Sequence, residues 1–320
     1  MGRDSGRLRE EIVRELKERG AVAVGFSQAG EMPDEVSFAF EKWIKEGNHA
    51  GMTFLQRHID LRRHTDNILP GAQTIISMAF SYFPDQWRKE LPYIASYAYG
   101  NDYHKVIKSR LEKAIEKFKF LHGGEWRICV DSAPLPERYL ALKSGIGKLS
   151  RNGNIYIPGY GSMCFLAEIL TTIKMEREES ACFDSHINIH EACNGCNACL
   201  RSCPTSALKA EGVVDSRKCL NYLTIEHRGE WSEEQKYYIS AGSNPFFGCD
   251  RCIKVCKLNI GVPTTEIEEF KKNSIPDNLE DIRSRGEKEY KKIMGQSAMS
   301  RLKFSDFLRN LNNSKRRDNK

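Results

Sequence analysis

Four cysteines in the run Cys193-x2-Cys196-x2-Cys199-x3-Cys203, the last followed by Pro204, constrain this chain more than any other feature. Three thiolates in one tight loop match three irons of a cubane, and the fourth, carried away by the proline, typically ligates a second cluster. One such run therefore calls for another. It is present as Cys249-x2-Cys252-x3-Cys256, and Cys219 between the two brings the total to eight. Crossed ligation assigns Cys193, Cys196, Cys199 and Cys256 to one 4Fe-4S cluster and Cys203, Cys219, Cys249 and Cys252 to the other. Zinc also takes thiolates, but structural zinc sites usually pair separated Cys-x2-Cys knuckles rather than a triple run ending in Cys-Pro. His186 and His190 just precede Cys193 and read as ordinary loop histidines, because eight thiolates already complete two clusters. Cys129 and Cys164 lie in apolar runs and read as buried small hydrophobes. Cys182, in a polar linker, is assigned nothing.

Eleven cysteines could instead staple a small secreted domain. With 320 residues, a charged start (MGRDSGRLREE) and most cysteines crowded between Cys193 and Cys256, metal ligation is the better reading. No stretch approaches the roughly 20 apolar residues of a membrane span, so the expectation is a cytoplasmic, monomeric chain. The net charge of +6 is concentrated at one end: from Arg301 to Lys320 there are seven Lys or Arg against two Asp. A basic arm suits a phosphate-rich partner, and a solvated end is the alternative.

Residues Leu8, Ile12, Val13 and Leu16 have helical spacing and lead past Gly20 into the apolar run Ala21 to Phe26. Further strand-like runs are Thr74 to Phe80, Ile94 to Ala98, Trp126 to Val130 and Phe165 to Thr171. Ile107, Leu111, Ala114, Ile115, Phe118 and Leu121 line one helical face, with Lys105, Lys108, Lys113 and Lys117 on the solvated remainder. The expected fold is a mixed α/β (α+β) domain over residues 1–180, a ferredoxin-like two-cluster iron–sulfur domain over 181–263, and a helical, basic C-terminal tail over 264–320.

Beyond the cysteines, the chain resembles the cobalamin-dependent epoxyqueuosine reductases of tRNA modification. The resemblance runs from about Leu8 to Asn310 and rests on GNHAGMTFLQRHIDLR, LPGAQTIISMAFSYFP, YAYGNDYHKVIKSRLE, VDSAPLPERYLALKSGIG, GSMCFLAEILTT, CNGCNACLRSCPTSAL, KCLNYLTIEHRGEW and FGCDRCIKVC. It implies an amino-terminal domain that holds cobalamin, fed with electrons by the two clusters from an external low-potential donor. The carboxylate of the VDS motif, Asp131 here, is the implied proton donor. Gly161, Ser162 and Phe165 fall where the family contacts cobalamin, and Tyr103 and His104 fall near the substrate, a tRNA containing epoxyqueuosine. Glu226 and His227 in YLTIEHRG either order the interface of the cluster domain or touch RNA. The chain departs from the family at Lys148 and Ser150, in GIGKLSRNG, where a tryptophan and a glycine are usual, and at Lys257, where a proline usually follows the last cysteine.

Converting an epoxide to an alkene takes two electrons and two protons and releases water. A general acid suited to this has its pKa raised toward working pH, which an apolar cofactor wall would do for Asp131. Two other readings stay open on sequence alone. A reductive dehalogenase-like cobalamin enzyme would act on a small organohalide, though no twin-arginine export signal is visible. A non-catalytic electron carrier has no evident use for the long stretch before Cys193.

Overall fold

The structure, a computed structural model, describes residues 2–85, 93–175, 189–209, 212–272, 275–276 and 278–314. Cys182, His186 and the basic residues from 315 onward lie outside that set.

Four strands, β1 (Ala23–Gln28), β2 (Thr74–Ser81), β3 (Trp126–Cys129) and β6 (Cys164–Thr171), form the central sheet in the order β1-β2-β6-β3. Each neighbouring pair is antiparallel, although helices separate the strands in sequence. A separate small hairpin joins β4 (Lys148–Leu149) to β5 (Ile155–Tyr156). Every residue of β2 is buried, which explains why it reads as a continuous apolar run instead of an alternating pattern.

Five helices accompany the sheet: α1 (Gly2–Glu18), α2 (Asp34–Lys45), α3 (Ile59–Arg63), α4 (Tyr103–His122) and α5 (Glu137–Lys143). Ile76, Met78, Phe80, Ala167 and Ile169 share one core with α1 and α4. The alternate residues Ile75, Ala79 and Leu170 pack with the α5 residues Tyr139, Leu140 and Ala141. Asp102 caps α4 by accepting from the His104 N–H at 3.1 Å, and Gly123, at φ 66°, ends it. The face of α4 expected from spacing is buried through Phe118, whose complete burial contributes about 2–3 kcal/mol. Leu121 is an exception, 48% exposed in the last turn.

The cysteine-rich segment folds as short helices α6 (Ala198–Ser202), α7 (Leu220–Ile225), α8 (Glu233–Ala241) and α9 (Arg251–Lys254). Ser232 and Gln235 form a reciprocal capping box at the start of α8. After it come α10 (Glu268–Lys271), α11 (Leu279–Met294, kinked at Gly286) and α12 (Phe304–Ser314).

These last helices are no loose appendage. Ile282, Tyr290, Met299, Phe307 and Leu311 build one core with Ile94, Ala98 and Tyr99 on one side and Phe246 and Phe247 on the other. Arg309 stacks over Trp231 at 4.4 Å and donates to the Gly229 carbonyl, while the Asn310 amide donates to the carbonyls of Thr224 and Phe246 at 2.8 Å each. Arg301 donates to the Glu226 carboxylate. Two of the seven basic residues counted in the tail thus have intramolecular work.

The run Ile94 to Ala98 is not a strand. Ile94 makes a single bridge to Phe247, and the chain then turns through a 3-10 segment at Ser96–Ala98. The cause is Asp250, buried, whose Oδ2 accepts from the Ser96 N–H at 2.7 Å and its hydroxyl at 2.9 Å and so draws the chain out of extension. Among the described residues, no helix is long and apolar enough to cross a membrane.

Candidate active site

The β3 strand ends at Cys129, and two residues later Asp131 adopts φ 54°. Left-handed backbone costs a non-glycine residue about 1 kcal/mol or more and persists where surrounding contacts enforce it. Here the enforcing contact is Glu137, in the first turn of α5, whose Oε1 accepts the Asp131 N–H at 2.7 Å. The turn aims the Asp131 carboxylate at the start of α4. Its Oδ2 accepts from the Tyr103 hydroxyl at 2.5 Å and stands 3.4 Å from His104 Nε2. His104 Nδ1 is in turn held 2.8 Å from Asp102 Oδ1. Phe165 stacks on the Tyr103 ring, with centroids 4.1 Å apart and planes within 5°, and Tyr82 packs on the other side of Phe165 at 4.5 Å.

Asp131, Tyr103, His104 and Phe165 therefore converge. Gly161 and Ser162 do not join them. Both are buried against Asn259, just beyond the last cysteine, whose Oδ1 accepts from the Ser162 N–H at 2.7 Å. Gly161, at φ 75°, is needed there: an added Cβ would lie 2.4 Å from Asn259 Oδ1.

Charges around Asp131 are unevenly settled. Burial works against charge on His104, yet hydrogen bonds to Asp102 and then Asp131 lift its pKa to about 9. Burial, reinforced by the charge of Asp131, pushes Glu137 up to about 8. For Asp131 itself burial is outweighed by the hydrogen bonds from His104 and Tyr103, and its pKa lies below the ordinary carboxylate range. The expectation of a raised Asp131 pKa is thus not met: its neighbours favour the ion, and at neutral pH the proton of the His104–Asp131 pair rests on His104. About half of the Asp131 side chain is open to solvent, and Arg62, Arg138 and Arg301 lie near enough for their charges and that of Asp131 to act on one another.

Glu137 and the three arginines escaped the sequence reading. Glu137 carries no reading there, and Arg301 enters only as part of a basic tail. Arg62 and Arg138 carry no pattern of their own, and only the fold brings them near Asp131.

The eight motif cysteines fall into two groups. Cys193, Cys196, Cys199 and Cys256 line one cavity together with Ser150, Arg151 and Asn152. Cys203, Cys219, Cys249 and Cys252 form the other group, near enough for each thiol's charge to act on its neighbours. Backbone N–H groups point at the sulfurs, from Thr205, Ala207 and Leu208 to Cys203 and from Arg251 to Cys249. The Arg151 N–H donates to Cys193 Sγ at 3.5 Å. Soft donors in fours, with amides that stabilise their anionic form, suit cubane clusters. The unusual GIGKLSRNG loop is therefore a wall of the cavity that the first four cysteines line, where Ser150 is buried and Lys148, exposed, pairs with Glu191 at 3.0 Å. His190 accepts from the Ala192 N–H at 2.9 Å, a turn-capping role. Cys129 is buried and Cys164 half-buried, and burial pushes both thiols up to about 12.

Glu226 orders the interface of the cluster domain through Arg301, and His227 stands 3.1 Å from the Glu230 carbonyl, within the same turn.

Residues 62–132 match the family described as "Epoxyqueuosine reductase QueG, DUF1730", and residues 192–259, which contain all eight motif cysteines, match a "4Fe-4S double cluster binding domain". The chain is 33% identical to an epoxyqueuosine reductase of Vibrio cholerae serotype O1, over 94% of this chain and 82% of that one. It is 31% identical to that of Escherichia coli K12, over 94% and 80%. Among solved structures, an epoxyqueuosine reductase with a tRNA-Tyr epoxyqueuosine-modified stem loop superposes with a TM-score of 0.83 at 26% identity, covering 96% of this chain and 80% of that one.

Proposed function

Because this chain belongs to the epoxyqueuosine reductase family, we propose that it reduces epoxyqueuosine to queuosine at the wobble position of a tRNA anticodon, using cobalamin, two 4Fe-4S clusters and a proton delivered by Asp131. The observation that carries this reading is the hydrogen-bonded constellation of Tyr103, Asp131 and His104 at the end of an aromatic wall leading from the second group of cysteines. Tyr82, at one end of that wall, feels the charge of Cys252, and Tyr97, toward the other, feels that of Asp131. The aromatic, largely apolar side chains of Tyr82, Tyr97 and Phe165 have the chemistry that suits a corrin face. Held there, cobalamin would supply a strong nucleophile and a centre able to take up electrons.

The protein's own part is binding, proton supply and water exclusion. With His104 protonated, Asp131 is an ion half open to solvent. Covering it with substrate and cofactor removes water from an ion pair, which favours the neutral arrangement and moves the proton from His104 to Asp131. Asp131 then stands as a carboxylic acid beside the epoxide oxygen. Tyr103 holds its geometry and stays a donor, since burial and the Asp131 charge push its pKa far above that of a free phenol. Arg62, Arg138 and Arg301 add positive charge around Asp131, which suits tRNA phosphates. The electrons come from an external low-potential donor.

The test is anaerobic incubation of the reconstituted, reduced protein with an epoxyqueuosine-containing anticodon stem loop, followed by mass analysis of the nucleosides. Queuosine formation that requires added cobalamin supports the reading. Unchanged epoxyqueuosine, with full cobalt and iron loading, would overturn it.

A further inference from the structure

Glu168 is out of place in the central sheet. It sits in the middle of β6 with none of its surface exposed, and neither carboxylate oxygen has a hydrogen-bond partner among the described residues. A buried, unpaired ion is costly enough that such a group takes up a proton instead. Burial, followed by the charges of Glu137 and Asp131, pushes its pKa well above the ordinary carboxyl value. A neutral acid left in a core still needs a physical reason.

Its position supplies one. The strand registers put Gly25, Ser77, Glu168 and Cys129 in a single row across the four strands. The residues two before and two after Glu168, Leu166 and Leu170, pack in the cores that α5 covers, so the row lies beneath that helix. Gly25 lets the end of α5 settle onto the sheet, since a Cβ there would meet the Ser144 carbonyl at 2.3 Å. Ser77 Oγ is buried without a partner as well. The row is thus small and polar where the rest of the sheet is large and apolar. From Cys129 the chain needs only two residues to reach Asp131, and Glu137, which holds the Asp131 N–H at 2.7 Å, begins the covering helix.

We propose that Glu168 is the site's internal proton store, a carboxylic acid that replenishes Asp131 by way of Glu137. The inference rests on the reading of Asp131 as the group that protonates the epoxide oxygen. Reduction of the epoxide takes up two electrons and two protons, breaks both carbon–oxygen bonds and releases one water. The His104–Asp131 pair provides the first proton to the departing oxygen. Glu137 provides the second through Asp131 and Glu168 restores Glu137, each across a bridging water because no side-chain hydrogen bond joins the three carboxyls among the described residues, and solvent restores His104 and Glu168 between turnovers. The groups facing Glu168 fit a neutral acid. The charges that act on Glu168 are those of Glu137 and then Asp131, and Ser77 and Cys129 stand beside it in the row. None of these side chains forms a hydrogen bond to Glu168 that would hold it ionised.

Infrared spectroscopy of the holoprotein, wild type and Glu168→Gln, tests this without turnover. The expected result is a protonated-carboxyl band, shifted in heavy water and by glutamate isotope labelling, that persists through neutral pH and is diminished in Glu168→Gln. In multiple turnover the variant should bind the stem loop as wild type does, slow about tenfold, less than the hundredfold or more of a group that transfers the proton directly, and lose activity at lower pH than wild type. A pH profile superimposable on that of wild type would overturn the proposal. If Glu168→Gln does not fold, the wild-type titration decides alone, since glutamate carboxyls all ionised at neutral pH would equally overturn it. An active Asp131→Asn protein would instead sink the underlying reading. An inactive Asp131→Asn with a wild-type-like Glu168→Gln would sink only the store.

Discussion

Replacing Tyr103 by Phe removes one hydroxyl and leaves the ring that stacks on Phe165 at 4.1 Å. The lost group donates to Asp131 Oδ2 at 2.5 Å. A hydrogen bond to a charged group contributes about 1.5–3 kcal/mol, and 1.36 kcal/mol is one pKa unit. Because solvent reaches about half of the Asp131 side chain, the lower figure applies, and its pKa should rise by about one unit. The remaining titrations respond differently. His104, raised to about 9, and Glu137, raised to about 8, carry their protons below those values and lose them above, so wild-type activity should decline as pH rises through that window. Tyr103 touches neither proton directly. Tyr103→Phe should therefore raise the pH at which the Asp131 carboxylate takes up its proton, read from its infrared band, by about one unit, and leave the alkaline decline of single-turnover reduction in place. An unmoved Asp131 titration, or a displaced alkaline decline, would refute the assignment of protons in this site.

Cys219 stands alone in sequence, and Cys219→Ala should damage the second cluster and spare most of the first; unchanged iron content and cluster EPR would contradict the ligand set. Gly161→Ala forces a side chain into left-handed backbone and against Asn259 Oδ1, at a cost of about 2–4 kcal/mol, read as a lower temperature of cluster loss; stability equal to wild type would show that the Asn259 contact is dispensable. Ending the chain after Ser314 keeps the buried Leu311 and Ser314 and removes four of the seven basic residues of the tail. The salt dependence of stem-loop affinity should then flatten by about 0.7 to 0.9 per lost phosphate contact, and an identical slope would identify the tail as a solvated end.

The cluster motifs were legible because their chemistry is written as spacing: a cubane needs its thiolates on one tight loop, and the count of eight pointed to Cys219, between the two motifs, as the last ligand. Helix α4 was equally plain from its 3.6-residue period. The strand misread at Ile94 to Ala98 shows the limit of such patterns, because the residue that bends it, Asp250, is more than 150 positions away. Tyr103, His104 and Asp131 entered as a resemblance, and nothing local in their sequence says that they touch. Their contact depends on a left-handed turn at Asp131 enforced by Glu137. Glu168 did leave a trace, an acid in the middle of the apolar run CFLAEILT, though an isolated charge in a strand reads as readily as an exposed edge position. The lowered pKa of Asp131 was not readable at all, since it is set by two neighbours on another element.

The central claim is that Asp131 delivers a proton to the epoxide oxygen. Asn keeps its size and can still accept from Tyr103, but has no carboxylic proton to give. With cobalt and iron content matched to wild type and the same reductant, Asp131→Asn should form queuosine about a hundredfold to ten-thousandfold more slowly, a loss of roughly 3 to 5 kcal/mol of transition-state stabilisation. Turnover within a few-fold of wild type would contradict the claim and leave Asp131 as no more than the residue that shapes its turn.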